Sequence, residues 1–375
     1  MKKALLTLKK PSVFIPIVLS IALIVALLSF SNIHKVLSLM AGFQRLYLLY
    51  YLLLMIVYEA VRGAQWHYSL KRLDLHIPVT TQIFAFALSE VTKVLPIGNY
   101  FQNYVLQQSK GADFGETSAA TTLIILEEIV VSLTGVVILG LGAWTTWVRA
   151  VVLVGVAIAV VVVWLLVRFH HGGERPAWVQ RRKMFRTIAD EFGRFREGAV
   201  DLMHPRALAV TLALSATYLV AGGAALYVAV LGLGVTNASF TETLAVYFFS
   251  LAVALMLPIP VDIGVIELSG LGAFMAVGVN RVAALGAVFA NRILSILASI
   301  AIALVIVLIL RKEVRAMFGY MSSRRQRTAD QTVSGKDSGK DSGKDTERKR
   351  DTRDMGGTRP DGATNADIAD KSQRA

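Results

Sequence analysis

The 375-residue chain contains no cysteine. That single absence excludes disulfides, thiolate nucleophiles, CxxC redox pairs and cysteine-ligated zinc. Charge is scarce too: Asp, Glu, Lys and Arg make up 17% of the residues against 55% hydrophobic ones, and the mean hydropathy is +0.57. Soluble domains carry about a quarter charged residues, so water is not the main solvent of this chain. Among six histidines there is no HExxH, and neither a P-loop nor GxSxG occurs, which removes the usual marks of zinc, nucleotide and serine hydrolases. His170 and His171 read as an accidental pair in a loop, and the LGLG near 231 reads as a helix-packing surface rather than a nucleotide site. No metal, no cofactor and no enzymatic activity is expected.

Apolar runs supply what charge does not. Six stretches, at 13–30, 46–66, 117–143, 148–167, 207–233 and 281–310, are each 18 residues or longer with almost no charge. A helix rising about 1.5 Å per residue crosses about 30 Å of hydrocarbon in that length. Lys2, Lys3, Lys9 and Lys10 precede the first run, as in a signal peptide, but no small-x-small site follows Phe30. A retained first helix is therefore expected. Two further stretches, 80–94 and 241–257, are shorter, and each runs into a proline, LPIG in the first case and LPIP in the second. Proline removes a helix hydrogen bond and clashes with the preceding turn, so these stretches are expected to stop near mid-membrane and return as re-entrant hairpins near 80–110 and 241–278. Pro96, Gly98, Pro258, Pro260 and Gly264 mark the breaks.

The expected fold is an all-α polytopic membrane protein with about six full spans and two re-entrant hairpins in inverted-topology repeats. Residues 1–167 form the first half, 168–206 a cytoplasmic amphipathic linker, 207–315 the second half, and 316–375 a disordered basic tail. Met184, Phe185, Ile188, Phe192 and Phe195 give the linker one apolar face at helical spacing among arginines and Lys183, which suits a helix on the membrane surface. A partner-docking helix is the alternative. In the tail SGKD occurs three times between 334 and 345, a composition that cannot bury a core.

Net charge is +13, but its position argues against nucleic acid as a partner. Residues 168–206 hold nine Lys or Arg, whereas the connections 31–45, 144–147 and 234–240 contain only Lys35 and Arg45. Basic loops face the cytoplasm, which places both termini inside and the protein in the plasma (inner) membrane.

An ionisable side chain at membrane depth costs at least about 2.5 kcal/mol and needs a partner, water or a role. Glu127 and Glu128 lie near the centre of one span and Arg292 lies well inside the last. Arg292 is expected to pair with one of these acids or to hold a lipid phosphate through its planar fork of donors. Glu59 with Arg62, and Glu90 with Lys93, are spaced i to i+3 and are expected to neutralise one another. Asp262 and Glu267 put polar groups at the second break, where freed carbonyls and helix ends make ion or substrate sites. The plainer alternative at each position is packing or turn geometry.

LPIPVDIGVIE at 257–267, followed by Gly278-Val279 and Arg292, resembles the second-half signature of the flippase-like membrane domain, the transmembrane region of lysylphosphatidylglycerol synthase or multiple peptide resistance factor. LPIG at 95–98 and Glu127 resemble its first half, and the likeness covers about residues 10–315. The chain departs from the family pattern at Asn99, Glu128 and Asp262, and its low-complexity tail is not expected to form the family's aminoacyl-transferase domain. The resemblance implies two inverted halves and movement of lipid between leaflets, the partners being anionic phospholipid, aminoacylated lipid or polyprenyl-linked glycolipid. Arg292 would hold the headgroup, with Glu127, Glu128, Asp262 and Glu267 organising the site. Two alternatives remain: a scaffold presenting lipid to a partner glycosyl- or aminoacyl-transferase, and a lipid-modifying enzyme using Glu127 and Glu128 as acid and base.

Overall fold

The computed structural model describes residues 40–92, 98–110, 112–140, 183–256 and 264–311 together with a few isolated positions, the side chains of 110 and 183–192 excepted. The expected spans at 13–30 and 148–167, the breaks Pro96, Pro258 and Pro260, the residues Lys93 and Asp262, and the tail lie outside the described residues or almost wholly so. What is described is helical throughout: α1 (Arg45–Arg72), α2 (Val79–Thr92), a 3-10 turn (Gly98–Tyr100), α3 (Phe101–Lys110), α4 (Phe114–Gly140), α5 (Lys183–Leu202), α6 (Pro205–Gly232), α7 (Phe240–Met256), α8 (Val265–Ala276) and α9 (Arg281–Ile309).

Four of these, α1, α4, α6 and α9, are long and apolar enough to cross a bilayer. They coincide with four of the six expected spans. Their 27 to 29 residues reach about 40 Å, beyond the hydrocarbon thickness of about 30 Å. Burial shows the same solvent. On α1 the inward stripe is Tyr51, Met55, Glu59, Arg62, Gln65, Trp66, Ser69 and Leu70, recurring every three or four residues and widening to adjacent pairs at its end, and half of it is polar. Its outward face carries exposed Leu46, Leu49, Leu53, Ile56 and Val57, and α9 likewise exposes Leu297, Leu304, Val305 and Leu308. Such continuous apolar surface is stable against lipid and not against water. The chain is a multi-pass membrane protein.

The short helices fall where the sequence places them. α2 and α3 precede long α4, and α7 and α8 precede long α9, so both halves read long, short, short, long. With 14, 10, 17 and 12 residues, each reaches about 15 to 26 Å, too little to span alone. α2 packs on α3 and α7 packs on α8.

Exchanging the two halves maps the packing onto itself. α1 meets its counterpart α6; α2 meets α9 as α7 meets α4; α1 meets α9 as α6 meets α4. At one end of the α1–α6 pair the Gln44 N–H donates to the Gly232 carbonyl at 2.9 Å, and at the other Gln65 Nε2 donates to the Thr211 carbonyl at 3.1 Å. The first residues of α1 thus lie beside the last of α6, and the counterparts run antiparallel. An exchange relating antiparallel helices has its axis across them, which is the internal symmetry of inverted repeats.

Local chemistry fixes the joints. Ser239 and Glu242 cap α7 reciprocally, with Ser239 N–H donating to Glu242 Oε2 at 2.8 Å and Glu242 N–H to Ser239 Oγ at 3.2 Å. Gly278, at φ 88°, closes α8 in a left-handed turn that lets Val279 N–H reach the Phe274 carbonyl at 3.0 Å. Only the second half of the linker helix α5 can be compared with the expected surface helix. There Ala199 and Leu202 are buried, α5 packs on α4, and Arg194 Nε lies 2.6 Å from Asp113 Oδ2.

The α4–α7 contact depends on an absent side chain. A Cβ on Gly135 would overlap the Phe248 ring, whereas a Cβ on Gly272 would meet nothing. Gly135→Ala is expected to lower stability by about 1–3 kcal/mol through overpacking, and Gly272→Ala to leave it unchanged or slightly raised. Thermal unfolding of the two variants in one detergent checks the pair; equal midpoints would contradict the close approach of α4 and α7.

Candidate functional site

Adjacent residues on a helix point about 100° apart, and the Glu127–Glu128 pair on α4 uses that divergence to enter two different helix interfaces. Glu128 Oε1 accepts from Arg62 Nε at 3.1 Å and from the Tyr218 hydroxyl at 2.8 Å. Arg62 on α1 also reaches α2, with Nη1 2.5 Å from Glu90 Oε1, and its guanidinium lies 6.0 Å from the Tyr218 ring centroid. One cation, 8% exposed, therefore ties together three helices of the first half and one of the second. This corrects the expected pairing of Arg62 with Glu59 one turn away. Glu59 instead accepts from Ser299 Oγ on α9 at 2.9 Å. A cation at a helix interface gains more from carboxylates on facing helices, held in line by packing, than from a partner on its own helix.

Glu127 turns to the α1–α6 interface. Its Oε1 accepts from Thr211 Oγ1 at 2.5 Å, and its Oε2 from Gln65 Nε2 at 2.6 Å and Ser215 Oγ at 3.3 Å. Neither Glu127 nor Glu128 meets Arg292, which corrects the other expected pairing. Arg292 sits on α9 beside α8, its Nε 3.5 Å from Glu267 Oε1. Glu267 is occupied elsewhere, because its Oε2 accepts the Gly264 N–H at 2.5 Å. Gly264 stands at φ 94°, a conformation costly for other residues, so the second break is held by this acid. The Gly98 carbonyl at the first break accepts from Ser89 Oγ at 3.1 Å.

A cavity of about 200 Å³ lies between the two halves, with the Arg62 cluster and Arg292 in its wall and Glu127 outside it. Tyr51, Tyr58, Glu59 and Arg62 of α1, Glu90 of α2, Asn99 of the 3-10 turn and Glu128 of α4 line it from the first half. Tyr247 and Ser250 of α7, Gly270 of α8, and Asn291, Arg292, Ser295 and Ser299 of α9 line it from the second. The Tyr247 hydroxyl lies where a side chain on Gly222 would stand. Tyr51 donates to Asn291 Oδ1 at 2.9 Å and closes one wall between α1 and α9.

The two arginines of the wall differ in how fully they are engaged. Arg62 has a hydrogen-bonded carboxylate on either side. Among the described residues Arg292 has a single acid, beyond hydrogen-bond geometry, and no hydrogen-bond partner for its buried Nε, and a quarter of its side chain stays exposed. A planar donor fork open to a polar cavity is suited to a phosphate or carboxylate. Among the described residues no group of three His, Asp or Glu side chains is placed to hold a metal ion.

Of the expected site residues, Arg292, Glu128, Glu59, Arg62 and Glu90 line the cavity, Glu267 backs Arg292, and Glu127 faces away to its own polar cage. Gln65, Thr211, Ser215 and the four tyrosines were not singled out from sequence. Gln65 follows Arg62 by three positions, and Thr211 and Ser215 are four apart in an apolar run; polar residues at helical spacing on one face of a membrane helix were the available signal.

A family model described as the lysylphosphatidylglycerol synthase TM region matches residues 13–303. No curated protein matches the chain.

Proposed function

Because the chain belongs to the lysylphosphatidylglycerol synthase transmembrane-region family, whose members are membrane proteins acting in lipid modification or transport, we propose that it is a lipid transporter of the flippase type. Lipid headgroups move between leaflets through the polar cavity between its inverted halves. The observation that carries this reading is Arg292 in the wall of that cavity, a quarter of its side chain exposed and its acid at 3.5 Å. A phosphate suits that guanidinium. Exposed apolar surface on α1 and α9 leaves the acyl chains in lipid while the headgroup passes. Helices α2 with α3, and α7 with α8, are read as re-entrant pairs, since each is too short to span and each pair packs upon itself.

Transport rather than lipid modification is the reading, carried by Arg292 in the cavity wall. Flipping by the wild-type protein tests it. Reconstituted full chain is expected to speed exchange of a fluorescent anionic phospholipid between leaflets far above protein-free vesicles. No acceleration with anionic, aminoacylated or polyprenyl-phosphate lipid would favour the scaffold that presents lipid to a partner transferase.

The positive residues of the linker support an orientation in the plasma membrane with both termini inside. The absence of cysteine makes this directly readable. Lys71 and Thr236 are exposed at opposite ends of the α1–α6 pair, so a membrane-impermeant maleimide is expected to label Thr236→Cys from outside and Lys71→Cys only after permeabilisation. The reverse pattern would invert the orientation, and labelling of both from one side would contradict the repeat arrangement. Ser109 is buried and unsuited to this test.

A further inference from the structure

The headgroup reading leaves Glu127 without a task. It is 2% exposed and lies outside the cavity lining. No cation meets it among the described residues. Its partners from α1 and α6 are the neutral Gln65, Thr211 and Ser215. The charged and titratable groups nearby on these helices are engaged elsewhere: Glu59 with Ser299, Arg62 with Glu90 and Glu128, Tyr218 with Glu128. Of the other elements packed on α4, α5 presents Arg194, held by Asp113, α7 presents Tyr247, which lines the cavity, and Glu242, held in its cap with Ser239, the 3-10 turn presents Tyr100, bonded to Thr122, and α3 carries the exposed Tyr104. The neighbouring Glu128 acts on Glu127 with a charge of the same sign.

The cage accommodates two protonation states without moving a heavy atom. With Glu127 ionised, Thr211, Gln65 and Ser215 all donate to it. With a proton on Oε1, the Thr211 hydroxyl turns its own hydrogen to the Ala207 or Leu208 carbonyl, 3.1 and 3.2 Å away, and accepts from the acid. A hydroxyl that can donate or accept by rotation is the group this exchange requires. A carboxylate bound to arginine has no comparable second state.

We propose that Glu127, caged by Gln65, Thr211 and Ser215, is a proton-binding site separate from the headgroup cavity. Binding forms one O–H bond on a carboxylate oxygen with a proton delivered by water, and release returns that proton to water. Occupancy changes the charge by one unit beside Glu128, and through it beside Arg62 and Glu90 on the cavity wall. The coupling of that charge to lipid movement rests on the transport reading; proton binding itself does not.

Infrared difference spectroscopy of the full chain in lipid, titrated with pH, tests the site. The wild type is expected to show a protonated-carboxyl C=O band that fades as pH rises, and Glu127→Gln is expected to lack it. Thr211→Val removes a donor to the ionised form and is expected to move the fading upward by about one pH unit, so the site stays testable if Glu127→Gln does not fold. An unchanged band in Glu127→Gln, or an unshifted midpoint in Thr211→Val, would overturn the proposal. In vesicles that flip lipid, a proton gradient is expected to alter the wild-type rate and not the Glu127→Gln rate. A titrating Glu127 in a protein that flips nothing would uphold the proton site and remove the transport reading.

Discussion

Arg62→Ala is expected to remove about 3–5 kcal/mol of stability, the scale on which a broken buried ion pair destabilises. Arg62 is the cation to which both Glu90 and Glu128 are bonded, and all three are buried. Its loss leaves Glu90 and Glu128 facing a small cavity without this cation. The cation's own desolvation opposes the gain from its partners, so the triad is not a large net stabiliser; removing one member is what exposes the penalty. Substituting Arg62→Met together with Glu90→Gln and Glu128→Gln is accordingly expected to restore most of the loss. Thermal unfolding in a mild detergent measures both. A wild-type midpoint for Arg62→Ala would mean that water, rather than the arginine, neutralises the two acids.

Arg292→Ala is expected to slow lipid flipping at least about tenfold while leaving the unfolding midpoint close to that of the wild type. A hydrogen bond to a charged group is worth about 1.5–3 kcal/mol, and each 1.36 kcal/mol is tenfold in rate or affinity. The fold has little to lose, because Arg292 keeps its acid at 3.5 Å and its Nε makes no hydrogen bond. Glu267 remains satisfied by the Gly264 N–H. Arg292→Lys, which retains charge but loses the planar fork, is expected to fall between. Equal flipping by wild type and Arg292→Ala, with protein in both sets of vesicles, would remove this residue from the headgroup path.

The four described spans were legible because composition alone marks twenty apolar residues, and the long, short, short, long order was legible because LPIG and LPIP interrupt two of the runs. The side-chain network was not. Sequence spacing reveals neighbours on one helix, so it offered Glu59 for Arg62, whereas the partners lie 28 and 66 positions away. Which face of α1 meets α2 and α4 is decided by packing of whole helices, and no local pattern encodes it. The divergence of Glu127 and Glu128 was readable from the 100° step; that one side would be a cationic cluster and the other a neutral cage was not. That cage depends on Thr211 and Ser215, more than eighty positions from Glu127, which in isolation are ordinary polar residues of a membrane helix.

The central claim, that a lipid headgroup occupies the cavity and meets Arg292, is tested most directly by native mass spectrometry of gently purified wild type beside Arg292→Ala. A specific anionic or polyprenyl-phosphate lipid retained by the wild type and lost from the variant is the result expected. Equal, nonselective retention by both would contradict it.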